Sequence, residues 1–419
     1  MRVAFVVPRY GPDIIGGAET AARRLAEGLA TSGGWDIEVL TTCAQDFVNW
    51  ADVYPEGDER INGVTVHRFR SAAGRDPSFH PLSAALLADP GSASMSDSEQ
   101  WLDLQGPVTP ALAEAAESST AAIMVFYPYL YYPTARVIDR VAAPTVLHPA
   151  AHDEPALHLP VFPRVFEAAD ALVFQTEAER ELVQGIFPVA SHHQLLLGLG
   201  VDDPPPGSLT KVPGDPELPA VPYLVCLGRV DSHKGTTTLA SMFAAYKERH
   251  PGPLRLVLAG PVVDAPAPHP DIEVAGAVSE AAKWELLRGA VALVSPSRWE
   301  AFSLVIAEAW SARTPVVVNA ACGATAEHAR RSGGGLSFHG YAEFEVIIER
   351  LCEDGALATE LGRRGRSYVD HNFRWPMVID RYAGFLESVA AAPKRSDAGA
   401  QRPGTGTADQ VHPEHGGSR

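Results

Sequence analysis

Short, largely apolar runs, most of them closed by Gly, Pro, Ser or Thr, recur along the whole chain and leave few folds open to it. In the first half they are VAFVVP (3–8), IEVLTT (37–42), VTVHRF (64–69), AIMVFY (122–127), TVLHPA (145–150), ALVFQT (171–176) and QLLLGLG (194–200). The second half continues with YLVCLG (223–228), LRLVLAG (254–260), IEVAGAV (272–278), VALVSP (291–296), PVVVNA (315–320) and GLSF (335–338). A strand with one wet face alternates apolar and polar residues, whereas continuous apolar runs belong to a parallel sheet covered by helices on both sides. Helical patterns lie between several of the runs. The clearest is GAETAARRLAEGLATSGG, in which Ala21, Leu25 and Leu29 share one face and Gly33 and Gly34 stop the helix.

Between the halves, VDDPPPGSLTKVPGDPELPAVP (201–222) holds too many prolines and glycines to continue a strand or helix. The expected architecture is α/β: a first doubly wound, Rossmann-like domain over 1–203, a linker over 204–222, and a second such domain over 223–374. A chain of 419 residues, 46% hydrophobic, has the material for two cores. WPMVIDRYAGFLESVAA (375–391) reads as a final amphipathic helix packing back toward the first domain. From Ala392 the sequence turns polar and aperiodic, so 392–419 is expected to be a disordered tail. The stretch 74–107, weakly periodic and rich in Ser, Asp and Pro, is expected to be an excursion over the first domain.

Charge narrows the partners. Lys and Arg number 34 against 51 Asp and Glu, a net charge of −17, which argues against nucleic acid or an anionic membrane as a general partner. Any anion must be held by a local basic site, and the arginine pair of ETAARRLAE supports at most peripheral membrane contact. The four cysteines, Cys43, Cys226, Cys322 and Cys352, stand far apart without a CxxC pair, signalling neither a disulfide framework nor a zinc cluster. The opening RVAFVV lacks the pattern of a signal peptide, and no run approaches the roughly 20 apolar residues of a membrane span. A cytoplasmic, soluble protein, with any membrane contact peripheral and at the inner face, is the expectation.

Ligands of doubly wound sheets sit at the carboxyl ends of the strands. In LGRVDSHKGTTT (227–238) a buried strand ends at Gly228 and a helix is expected near Thr236, so Arg229 and Lys234 project beside a helix N-terminus that already favours an anion. Two solvated loop cations would look the same. In SPSRWEAFSLVIAEAW (295–310) a helix is expected from Phe302 or Ser303, with Glu300 in the loop ahead of it and Glu308 roughly 7 Å along its axis. A diphosphate at the helix mouth, a sugar beyond Glu300 and a ribose beside Glu308 would span a nucleotide-sugar, because a carboxylate accepts from two neighbouring hydroxyls. A dipole-matched charge and a solvated helix face are the plainer readings of the same two acids.

Taken in order, LGRVDSHKG, SPSRWEAFSLVIAEA and TPVVV resemble the retaining glycosyltransferases of GT-B fold, the group 1 or family 4 class that includes sucrose synthases and bacterial mannosyltransferases. The opening VVPRYGPDIIGGAETAARRLAEGLA resembles the glycine loop of that class, and only the tail lies outside the resemblance. It implies two Rossmann-like domains facing across a cleft, a nucleoside-diphosphate sugar as donor, a hydroxyl-bearing acceptor that can be a glycan, a small molecule or lipid-linked, and no metal or other cofactor. Carried over by position, it implies that Arg229 and Lys234 neutralise the diphosphate and that Glu300 binds the transferred sugar. Amides near Phe302, Ser303 and Leu304 would meet the phosphates, Glu308 the ribose, and Gly16 and Gly17 would let backbone approach the donor. Ser303 stands where the class often has glycine, and Ala301 and Trp310 are also atypical.

On the acceptor side, LHPAAHDEPALHLP (147–160) offers His148, His152, Asp153, Glu154 and His158. It looks like the segment whose histidine faces the reacting sugar, which selects His152 followed by Asp153. A metal site and an ordinary structural imidazole are the alternatives there, but no Asp-x-Asp occurs in the chain. Two rivals complete the field: a catalytically silent nucleotide-sugar-binding or scaffolding member of the same fold in polysaccharide assembly, and a nucleotide-sugar epimerase or NAD-linked enzyme, which would show GxGxxG where this chain has YGPDIIGGAE. Donor base, sugar, linkage and oligomeric state are not written in these motifs.

Overall fold

The computed structural model describes residues 1–14, 16–205 and 214–395. Ile15, residues 206–213 of the expected linker and residues 396–419 of the expected tail lie outside the described residues. Fourteen strands form among the described residues: β1 (Arg2–Val6), β2 (Asp36–Thr42), β3 (Gly57–Ile61), β4 (Val64–Phe69), β5 (Ile123–Phe126), β6 (Thr145–Leu147), β7 (Ala171–Phe174), β8 (His193–Leu196), β9 (Tyr223–Leu227), β10 (Arg255–Ala259), β11 (Ile272–Gly276), β12 (Ala292–Ser295), β13 (Val316–Asn319) and β14 (Gly335–Phe338). They build two sheets, ordered β3-β4-β2-β1-β5-β6-β7-β8 and β11-β10-β9-β12-β13-β14. Every pairing is parallel except that of β3 with β4. The fold class read from the apolar runs is therefore the observed one, and strands such as β5, β7 and β12 are buried at every residue.

The antiparallel β3 escapes the sequence reading because GDERI is almost wholly exposed. Its signal was the turn rather than the strand. Asn62 and Gly63 have φ of 47° and 89°, and Ile61 pairs with Val64, the geometry of a two-residue hairpin for which Asn-Gly is the favoured pair. The excursion at 74–107 is helical: Phe79–Ala88 and Met95–Gln105 cover the first sheet, the second helix opening on a capping box between Ser94 and Asp97.

In each sheet the first strand of the domain lies inside, so the order reverses beside it: β1 between β2 and β5, β9 between β10 and β12. The crevice at such a reversal is where loops from neighbouring strands part and a ligand can enter. The two lobes are joined where the chain crosses twice. Val201 donates its N–H to Phe373 O at 2.7 Å, and Asp203 meets Arg366 and Arg374 at 2.7 and 3.1 Å.

After the second crossing, helix Trp375–Ala391 lies on helix Gly17–Ser32 and against β5 in the first lobe. Its side chains occupy space left by glycines: a Cβ on Gly28 would lie 2.4 Å from Ile379 Cδ1, and one on Gly200 would lie 2.1 Å from the Trp375 ring. The helix is also tied in by His148 Nε2 and Tyr382 Oη, 2.9 Å apart in the core. The tail expected from Ala392 begins attached: Lys394 Nζ donates to Val141 O at 2.6 Å and Arg395 N to Asp170 Oδ1 at 2.8 Å. Gly200→Ala forces the indole out of its seat and is expected to cost about 1–3 kcal/mol of stability, the usual penalty of overpacking, read as a lowered melting temperature.

Candidate active site between the two lobes

The site is built where the loops after β9 and β12 abut. Gly235, at φ 77°, ends the first loop and caps helix Thr236–Arg249; a Cβ there would sit 2.9 Å from Pro296 O, directly after β12. Glycine alone lets the two loops come this close. Inside the first loop, the carboxylate of buried Asp231 accepts Lys234 N at 2.6 Å and the Arg229 Nε–H, while its carbonyl accepts the Thr236 hydroxyl at 2.9 Å. Short side chains that bond their own backbone fix tight loops in this way. The consequence is an ion pair across the strand ends, Lys234 Nζ to Glu300 Oε1 at 2.7 Å.

The second loop runs into helix Leu304–Ser311 through Ser303, whose φ of 74° is the left-handed conformation that glycine adopts freely. This explains why glycine is natural at the position; here the serine hydroxyl is buried and, among the described residues, has no hydrogen-bond partner. Phe302 turns inward, with its ring edge-on to Phe373 and His328 at 5.1 and 4.8 Å, so its side chain anchors the helix and only backbone there can meet a ligand. Glu308, further along the helix, is half-buried against Lys283 from helix Glu280–Gly289, Oε1 to Nζ 2.7 Å. Burial pushes the Glu308 carboxyl pKa up, and Lys283 opposes the shift.

From the first lobe, Gly16 caps helix Gly17–Ser32 above an ion pair of Arg9 with Glu19; a Cβ on Gly16 would collide with the Glu19 carboxylate, whereas Gly17 has open space around it. Arg9 lies 5.3 Å from the Phe47 ring, and Arg229 of the second lobe lies 5.8 Å from the same ring. The histidines after β6 separate by environment. His148 is core, its pKa drawn down to about 3 by burial, and His158 is at the surface beside Asp153 at 3.3 Å. His152 is partly exposed, with Nδ1 3.7 Å from Glu154 Oε1 and, among the described residues, in no hydrogen bond; Tyr129 Oη holds Glu154 at 2.9 Å.

Four contacts close the lobes over this region. Trp299 Nε1 donates to Asp153 O at 3.1 Å, Thr176 Oγ1 to Ala301 O at 3.1 Å, and Ala178 N to Glu327 Oε2 at 2.7 Å, besides Arg229 on Phe47. His233 lies tilted over Trp299 at 4.8 Å. Thus Lys234 meets Glu300 directly and Arg229 joins the same loop through Asp231, with Ser303 and Leu304 following Glu300 by three and four residues; the Asp153 side chain is exposed, and its crossing contact with Trp299 is through backbone. Asp231, Lys283, Trp299 and Thr176 belong to the same structure and were not singled out from sequence. Only Asp231 carried a usable signal, an acid placed to close the tight turn before Lys234-Gly235.

Among the described residues no group of three or more His, Cys, Asp or Glu side chains gathers as metal ligands do, and no helix is long and apolar enough to cross a membrane. Ser279, which follows the apolar run 272–278, reaches Asp215 of the linker with its N–H and hydroxyl at 3.0 and 2.7 Å.

Residues 221–354 match the family model described as Glycosyl transferases group 1, and residues 16–200 match that of the Glycosyl transferase 4-like domain. The D-inositol 3-phosphate glycosyltransferase 1 of Catenulispora acidiphila is 35% identical over 128 residues, 30% of this chain and 28% of that protein. The GDP-mannose-dependent alpha-(1-6)-phosphatidylinositol monomannoside mannosyltransferase of Mycobacterium tuberculosis is 26% identical over 285 residues, 63% of this chain and 74% of that one. In fold, the chain matches sucrose-phosphate synthase from Thermosynechococcus elongatus with a TM-score of 0.68 at 17% identity, covering 94% of this chain and 100% of the other. A trehalose-6-phosphate synthase from Burkholderia multivorans gives 0.65 at 15% identity, covering 93% and 98%.

Replacing Lys283 by Met leaves the Glu308 carboxylate half-buried without its cation. That is expected to cost on the order of 3 kcal/mol of stability, most of it recovered in the Lys283→Met/Glu308→Gln double variant, as read by thermal melting.

Proposed function

Because the chain belongs to the group 1 glycosyl transferases and has their two-lobed GT-B fold, we propose that it moves a sugar from a nucleoside-diphosphate sugar to an acceptor hydroxyl, retaining anomeric configuration and using no metal ion. The observation that carries this reading is the 2.7 Å pair of Lys234 and Glu300 at the meeting of the β9 and β12 loops, beside Arg229 and the helix mouth at Ser303. A cation for phosphate and a carboxylate for hydroxyls stand side by side there.

In this reading Arg229, Lys234 and the amides of Ser303 and Leu304 hold the diphosphate, Glu300 accepts from hydroxyls of the transferred sugar, and Glu308 accepts from the ribose. Backbone at Gly16 and Gly17 approaches the donor from the other lobe, and His152 faces the reacting sugar. The bond from the anomeric carbon to the diphosphate oxygen breaks with its electron pair going to the nucleoside diphosphate. The acceptor oxygen bonds to the same face, and its proton passes to the departing phosphate. No enzyme nucleophile is required, and the demand on the protein is to stabilise charge growing on the leaving group. Closure of the lobes keeps water from competing.

The acceptor we assign is a polyol or glycan hydroxyl, free or lipid-linked. Support comes from the relatives, one named for inositol 3-phosphate and one for phosphatidylinositol monomannoside. With a donor found by screening UDP- and GDP-sugars for thermal stabilisation, Lys234→Ala and Glu300→Ala should each lower kcat/KM for transfer by roughly 100- to 1000-fold, the effect of removing one group that stabilises transition-state charge. Undiminished transfer in either variant rejects the assigned roles. The product anomer, read by NMR coupling constants, tests retention, and the absence of nucleotide release from every donor would favour a silent binding protein.

A further inference from the structure

Buried beneath the His152 segment is a carboxylate that the mechanism does not use. Glu179 is 2% exposed, and burial pushes its pKa up to about 8 against the pull of backbone amides. Its Oε1 accepts Ala151 N at 2.8 Å and its Oε2 accepts Gln175 N at 2.6 Å. Helix capping accounts for half of this. Thr176 caps helix Glu177–Ile186, its hydroxyl accepting Glu179 N at 3.2 Å, and an acid at the third helical position commonly reaches back to the chain before the cap. Capping does not account for Oε1, which spans 28 positions of sequence to a loop on another strand.

That loop needs holding. Ala150 has a φ of 51°, a left-handed conformation unusual for a residue with a Cβ and costing of order 1–3 kcal/mol unless its surroundings impose it. The amide that follows Ala150 is the one Glu179 binds, and His152 is the next residue. On its other side, Glu179 is bonded through its own N–H to Thr176, whose hydroxyl donates to Ala301 O, the residue after Glu300. His152, Ala151, Glu179, Thr176, Ala301 and Glu300 therefore form one chain in which each link is a peptide bond or a hydrogen bond, and which crosses from lobe to lobe. Among the described residues Glu179 has no ion-pair partner.

We propose that Glu179 is a positioning residue: it fixes the backbone that presents His152 and ties it, through Thr176, to the loop of Glu300, so that the histidine and the sugar-binding acid are aligned when the lobes are closed. This rests on the role given to His152 under the proposed function.

Glu179→Gln keeps the shape but turns an NH2 group against one of two amide donors. It is expected to lower kcat for transfer about 10- to 100-fold, as loss of an orienting group does, while donor KM and nucleotide-induced thermal stabilisation stay within about twofold. In a His152→Ala background the same substitution should add nothing. Thr176→Val, which breaks the bridge and the cap on Glu179 N but keeps the bonds of the Glu179 carboxylate to Ala151 and Gln175, should give a smaller fall that also vanishes with His152→Ala, and it stands in if Glu179→Gln does not fold. In histidine-labelled protein, Glu179→Gln should shift the imidazole resonance assigned to His152 by its loss in His152→Ala, and leave that of buried His328 in place. An unmoved His152 resonance, an unchanged kcat, or an equal fall with and without His152 overturns the proposal. If His152→Ala alone leaves transfer intact while the resonance moves, the positioning stands and the role given to the histidine fails.

Discussion

Everything at the site depends on how closely the loops leaving β9 and β12 approach. These strands are neighbours, yet the chain between them makes two further strands and returns, so nothing in sequence order requires their ends to touch. Contact is achieved by a residue without a side chain, Gly235, set against Pro296 O, and by a buried acid, Asp231, that pulls the first loop into a turn tight enough to point Lys234 across the gap. Remove either and the cation loses its place beside Glu300. Local backbone chemistry thus decides an interaction between residues 66 positions apart.

A second constraint acts between the lobes. The chain crosses twice, at 201–203 and at 373–374, and the crossings are bonded side by side. Beyond them helix Gly323–Ser332 packs on helix Glu177–Ile186, and polar contacts flank it: an indole on a carbonyl, a hydroxyl on a carbonyl, an amide on a carboxylate. Interfaces of this kind between domains of one chain permit relative motion.

Much of this architecture could be read in advance because strands buried on both faces cannot hide. Their continuous apolar composition is forced by the layers above and below. What escaped was what burial does not force. Strand β3 is exposed and pairs with one neighbour only, so its composition carried no message, and the Asn-Gly turn beside it was the one clue. At the site, Arg229, Lys234, Glu300 and Ser303 were legible because they lie in the loops that follow such strands. Lys283 was not, since it comes from a different helix and a lysine three residues after Glu280 looks like a solvated pair; only folding brings Glu308 onto it. Glu179 was invisible for a like reason. Its cap to Thr176 is local, but its bond to Ala151 exists only once β6 and β7 lie side by side.

The pairing of charges at the site bears on how a donor could enter a protein of net charge −17. Four cations there are already matched by acids: Arg229 by Asp231, Lys234 by Glu300, Lys283 by Glu308, Arg9 by Glu19. The mouth is therefore close to neutral, and an anion gains little from long-range attraction in an acidic field. What it gains is exchange at contact. Under the proposed function, a diphosphate that draws Lys234 toward itself would free Glu300 to accept from hydroxyls, and a nucleotide-sugar carries both groups in one molecule. An isolated phosphate would take the lysine and leave a partly buried carboxylate unpaired, while an uncharged sugar would compete for a carboxylate still held by its cation. Under the proposed function, discrimination in favour of the intact donor would then follow from the ion pair itself, because only a ligand that offers a partner to both halves repays the cost of parting them.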